Sequence, residues 1–205
     1  MNVKEAILSR QSIREYDPNV KIPLETINEM LDLASRAPSS WNLQPWRFVV
    51  ITSPDMKEAL KPCVMFNTTQ LATSSAMILI LQDWKRYELF PILNDLELKA
   101  GYITPDQFNS RQLKAEQAKT TITKENLERT GLLDCGLIAQ NFMLIAREYG
   151  YDTCPMGGFD RPNTMKVLGL DTERYSPVVL LSLGKRKGTL KTSLRFPLAA
   201  ITTYK

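Results

Sequence analysis

Two arginines four positions apart bracket a serine in Arg10-Gln11-Ser12-Ile13-Arg14-Glu15-Tyr16. Two guanidinium forks and a hydroxyl are the groups that grip a phosphate, since each fork aims paired N–H donors at anionic oxygens. A solvated basic turn is the competing reading, because surface arginines are common. A second segment, Ala37-Pro38-Ser39-Ser40-Trp41-Asn42-Leu43-Gln44-Pro45-Trp46, is a stiff polar loop presenting hydroxyls and amides beside two tryptophans. Such a loop suits a polar heteroaromatic ligand; a plain helix-to-strand connector with Trp41 and Trp46 as core anchors is the alternative. In Pro155-Met156-Gly157-Gly158-Phe159-Asp160, two glycines let backbone N–H groups come close to a ligand, or simply make a tight turn before an N-cap. Late in the chain, Gly184-Lys185-Arg186-Lys187-Gly188 reads as a solvated loop, and Lys191-Thr192-Ser193-Leu194-Arg195-Phe196-Pro197 offers further cations to an anion.

Composition narrows the chemistry. The chain has 205 residues and no histidine. That removes Ser-His-Asp and Cys-His nucleophiles, His-based zinc catalysis and His general bases together. An enzyme built this way leaves its hard chemistry to a cofactor. There is no GxGxxG, no GxxxxGK[ST] and no tight Asp/Glu set that resembles a metal cage. The net charge of +4 is small and scattered, which argues against nucleic acid. Three widely spaced cysteines, Cys63, Cys135 and Cys154, argue against a disulfide framework and fit a reducing, cytoplasmic setting. No signal-peptide apolar core or membrane span is expected, the longest apolar run being Ala76 to Leu81.

The elements that must position these residues follow from periodicity and punctuation. Residues 3–9 read as a short helix. Pro23 reads as the first position of a second, with Leu24, Ile27, Met30, Leu31 and Ala34 at helical spacing and an end before Pro38. Strands are predicted at 46–52, 77–82, 151–154 and 178–183, with an edge strand at 199–204. Ser53-Pro54 opens a helix to about Lys61. Residues 85–126 form a polar excursion of two or three helices, broken by Pro91 and Pro105. A long helix, apolar nearly all round after Gly131 and therefore central, spans 124–149 and stops at Gly150. Asp160 caps a short helix ending near Gly169. Interleaved helices and strands give an α/β or α+β class.

Taken in order and spacing, these segments resemble the nitroreductase family of FMN enzymes. The resemblance spans essentially the whole chain, as Arg-x-Ser-x-Arg-x-Tyr, Pro-Ser-Ser-x-Asn-x-Gln-Pro-Trp, Pro-x-x-Gly-Phe-Asp and a late Arg-x-Pro. It implies one α+β domain over 1–205, a central mixed β-sheet surrounded by helices, and a homodimer with each FMN between two subunits. Position by position, it implies that Arg10, Gln11 and Ser12 lie at the phosphate and ribityl chain and Arg14 at the pyrimidine edge of the ring. Pro38, Ser39, Ser40, Asn42 and Gln44 would reach the flavin from the other subunit. Asn67 and Gln70 would meet the pyrimidine edge. Pro155, Met156, Gly157 and Gly158 would pass flavin N5, with the Gly157 N–H as donor, and Arg195 would join the phosphate clamp.

The implied activity is reduction of nitroaromatics, quinones or a related acceptor by NADH or NADPH, with hydride passing through N5 in ping-pong order. The sequence departs from the pattern at Gln11 and Ser193, where basic residues are common, at Gln70, where some members have lysine, and at Gly157, where several have glutamate. With Gln70 in place of a cation, Arg14 must supply most of the positive field at the reduced ring. A store or regulator that binds FMN but turns over little NAD(P)H is the alternative function. The chain's end, from Ala199, is expected to reach the partner subunit.

Overall fold

The computed structural model describes residues 1–189 and 193–205; Lys191, named above with the basic C-terminal stretch, lies outside the described residues. Helix α1 spans Val3–Ser9 and begins with a capping box, Asn2 accepting from the Glu5 N–H while the Glu5 carboxylate accepts from Asn2 N–H. Helix α2, Leu24–Ala34, buries Ile27, Met30, Leu31 and Ala34 of the stripe its spacing predicts, while Leu24 in its first turn is exposed; Pro23 stands at the cap, one position earlier than expected. Strand β1, Trp46–Ile51, leads to α3, Pro54–Leu60, whose N-cap Ser53 hydroxyl accepts from Met56 N–H. Helix α4 is Thr68–Thr73 and strand β2 is Ala76–Asp83.

The excursion consists of α5, Phe90–Lys99, and α6, Pro105–Thr121. Its two prolines open these helices rather than interrupt them, each lying in a first turn where a missing N–H costs nothing. Helix α7, Lys124–Glu148, ends in a Schellman arrangement: Gly150 at φ +78° donates to Arg147 O and Tyr151 to Ala146 O. Strand β3 is Asp152–Met156, α8 is Arg161–Val167 with the Asp160 cap, and β4 is Tyr175–Gly184.

The four strands run in the order β1-β2-β4-β3. All three pairings are antiparallel, where a mixed sheet was expected; among the described residues parallel pairing is confined to one bridge, Ser12 to Thr153. Every residue of β2 is buried. Ile78 and Ile80 pack with α2 and α7 on one face, while Met77, Leu79 and Leu81 pack with Leu60, Leu71 and Met165 on the other. Helices cover both faces of the sheet, which explains why β2 reads as an unbroken apolar run. Two further expectations fail. No strand forms at 199–204, where a short 3-10 turn at Leu198–Ala200 and an extended tail stand instead. Helix α7 is not buried all round: Leu132, Leu133 and Leu137 are exposed.

Candidate functional site

Helix α1 releases the chain at Arg10, its C-cap, into extended backbone. That backbone runs beside the outer edge of β3, with Ile13 N–H donating to Thr153 O at 3.0 Å. Arg10, Ser12 and Arg14 alternate along it, the spacing that sends side chains to one side of an extended segment. By the same alternation Gln11 falls on the other side, and it is half-buried. The run is anchored beyond Arg14 by Tyr16, fully buried, whose hydroxyl lies 2.7 Å from Ser182 Oγ. Added bulk at Gly184 would strike the Tyr16 ring at 2.8 Å, so this glycine admits the anchor.

Cys154 reports how the pieces converge. Burial pushes its thiol up, against the opposing pull of Arg14, Gln70, Ser12 and Arg10 around it. Asn67 and Gln70 come from the start of α4. Gln70 donates to the Asn67 side-chain oxygen at 2.9 Å, and Asn67 donates to Gly158 O at 3.0 Å, which ties α4 to the glycine turn. Gly157 and Gly158 are exposed, and a Cβ at either would meet nothing within 4 Å. Arg14, Glu15, Phe66, Asn67, Thr69 and Gln70 line a cavity of about 370 Å³. The first half of the expected site is therefore assembled within one chain: Arg10, Ser12, Arg14, Asn67, Gln70 and the turn from Pro155 to Gly158. Met156 alone of that turn is buried, in the core beside Cys154.

The second half lies elsewhere. The loop of Pro38, Ser39, Ser40, Asn42 and Gln44 precedes β1, which is the other edge of the sheet, three strand spacings or about 14 Å from β3. Three of its non-glycine residues hold positive φ: Trp41 (57°), Asn42 (56°) and Gln44 (45°). Left-handed backbone at such residues is unfavourable and persists where surrounding contacts impose it. Here Gln44 N–H donates to Ser39 Oγ at 3.0 Å, and Asn42 donates to Glu97 of α5 at 3.3 Å. Ser40 N–H lies 3.2 Å from both carboxylate oxygens of Asp134. Trp41 is half-exposed and packs edge-on to Phe90, 6.2 Å between ring centres, while Trp46 is a core anchor.

Asp134 is the residue of this candidate site that sequence reasoning misses. It is 2% exposed, in the middle of an apolar helix. Burial raises its pKa, while the Ser40 N–H and the Arg86 guanidinium pull it back. Its one signal in the sequence is an unpaired acid within apolar periodicity, which points to a buried partner without naming it. Arg195 joins neither half. It is exposed, and its hydrogen bonds among the described residues run to Ser193 and Leu194 beside it.

One edge of the chain thus presents arginines, amides and open backbone, and the opposite edge presents a braced polar loop. The chain is similar to known proteins over nearly its whole length. The chain is 43% identical over 202 residues to YdgI of Bacillus subtilis, named as a candidate NAD(P)H nitroreductase, covering 98% of this chain and 96% of that one. It is 31% identical over 185 residues to the CLA biosynthesis enone reductase of Lactiplantibacillus plantarum, covering 90% and 85%. A solved Exiguobacterium sibiricum structure, named as a candidate nitroreductase in complex with FMN, superposes with a TM-score of 0.94 at 38% identity, covering 100% and 98%. The family model described as Nitroreductase family matches residues 7–185, a span holding both half-sites, and the chain belongs to that family.

Proposed function

We propose that the protein is an NAD(P)H-dependent FMN oxidoreductase that works as a homodimer, each flavin lying between the β3 edge of one subunit and the Pro38–Gln44 loop of its partner. The observation that carries this reading is the separation of two complementary half-sites to opposite edges of one sheet. The residues suit the cofactor: Arg10 and Arg14 form no ion pair among the described residues, which leaves both guanidiniums available to an anion. Asn67 and Gln70 present amides for a heteroaromatic edge, and the bare Gly157–Gly158 turn admits a ring close to the backbone. Arg195 completes the phosphate clamp when the tail packs on the dimer.

FMN supplies hydride exchange at N5. Arg14 opposes the negative charge that arrives with hydride, and it does so largely alone because Gln70 is neutral. The Gly157 N–H donates toward the reacting edge of the ring. Neither role asks for a side-chain acid, which suits a chain without histidine. Donor and acceptor would use the exposed face of the ring in turn, which gives ping-pong kinetics. Nitroaromatics, quinones and related electrophiles such as enones are the acceptors to test. Three buried, unpaired thiols fit a reducing, cytoplasmic setting.

Titration of the purified protein with FMN should saturate at one flavin per chain. Arg10→Ala should weaken binding about ten- to hundredfold, the worth of a charge-assisted contact of about 1.5–3 kcal/mol. Failure to take up FMN would remove the proposal.

A further inference from the structure

A second cluster of chemistry-bearing side chains lies behind α4, away from the half-sites. Lys21, Thr52, Lys57, Glu58, Lys61 and Thr68 line a cavity of about 300 Å³. Three ammonium groups and one carboxylate face it, and Glu58 is already held by Lys61 at 3.1 Å. Lys57 is set apart from the other two. It reaches from α3 to the junction of α4 and β2, where its Nζ donates to Ser74 O and, at 3.3 Å, to Ser75 O.

A neutral amine has two N–H bonds and one lone pair. The two carbonyls take both N–H bonds and leave the lone pair for an electrophile. Burial, reinforced by the nearby charge of Lys21, lowers the Lys57 pKa to about 8. At pH 8 about half of Lys57 is then uncharged, against about 0.3% of a lysine at the ordinary 10.5.

We propose that Lys57 is a carbon dioxide site, its Nζ forming a carbamate in the cavity that Lys21 and Lys61 also line. The lone pair of Nζ bonds to the carbon of CO2, one C–O π pair moves onto oxygen, and one amine proton passes to solvent. Nothing is oxidised or reduced. The carbamate keeps one N–H for a backbone carbonyl. Its negative charge turns the Lys21–Lys57 repulsion into attraction, and Thr52 and Thr68 add hydroxyl donors. Other electrophiles fit less well: an acyl donor would leave a neutral amide, which gains nothing from the nearby charge of Lys21.

The test equilibrates the purified protein with 13C-bicarbonate at pH 8, fixes any carbamate as its ethyl ester with a trialkyloxonium salt, and reads peptide masses. Labelled ester at Lys57 should exceed that at exposed lysines such as Lys4 and Lys114 by more than about tenfold, following the difference in neutral fraction. It should vanish in Lys57→Arg and fall severalfold in Lys21→Gln, a surface change that leaves the core intact. No ester at Lys57, labelling equal to the exposed lysines, or full labelling in Lys21→Gln would each overturn the proposal. The readout is independent of flavin content and of turnover.

Discussion

On the proposed reading, Arg14 is the residue on which the redox behaviour turns. It lines a cavity beside the neutral Gln70, so its charge would be the principal local field for a reduced ring. Arg14→Gln should lower the flavin midpoint potential by about 30–60 mV, the equivalent of losing about 1.4–3 kcal/mol across a two-electron couple. Spectroelectrochemical titration checks this, and an unchanged potential would mean that another cation carries the field. Arg10, Ser12 and Arg14 were legible in the sequence because their types and alternate spacing are themselves the chemical signal. Asp134 was not, because its role depends on a contact with Ser40, 94 positions away, that no periodicity encodes.

At the scale of elements, the braced loop from Pro38 to Gln44 is coupled to α7 through Asp134 and to α5 through Glu97. Asp134 is a positioning residue: it fixes the Ser40 backbone, and so the hydroxyls and amides beside it. Asp134→Ala should leave Ser40 N–H without its partner, destabilise the fold by about 1–3 kcal/mol and weaken FMN binding. Asp134→Asn keeps an oxygen acceptor and should restore most of the affinity. Thermal melts and FMN titrations on both variants separate positioning from simple loss of stability, since only positioning predicts that affinity recovers with the acceptor.

Most helices were legible at this scale because caps and prolines mark their ends: Asn2, Ser53, Thr104, Thr123 and Asp160 each accept a backbone N–H of the helix that follows. Helix α4 has no such side-chain cap, and the sequence did not mark it. Strand direction was not, since an apolar run reads alike in parallel and antiparallel pairs. The run 199–204 misled because β-branched composition cannot supply a partner. Residues 12 and 13 already occupy the outer side of β3 at Thr153.

At the scale of the molecule, the surface is unfinished. Leu132, Leu133 and Leu137 stand exposed on α7, and the tail exposes Leu194, Phe196, Leu198, Ile201 and Tyr204. Exposed apolar side chains in these two places suit the proposed dimer interface. A second copy of the chain would cover it while bringing the Pro38 loop of one subunit to the β3 edge of the other. A double change, Leu133→Asp with Leu137→Asp, should therefore shift the protein toward monomer in light scattering and lose FMN at the same time. A monomer that keeps its flavin would contradict the shared site. The sequence hinted at α7 as an apolar helix, but whether its second face meets the core or a partner depends on how much sheet one chain supplies. Four strands cover one side only.

The most direct measurement is the visible spectrum of the purified protein, followed without oxygen as NADH or NADPH is added. Flavin bands that bleach rapidly on addition, and return when a quinone or nitroaromatic follows, are the expected result. Flavin bands that persist in the presence of both nicotinamides would contradict the assignment as an oxidoreductase and leave a protein that only binds FMN.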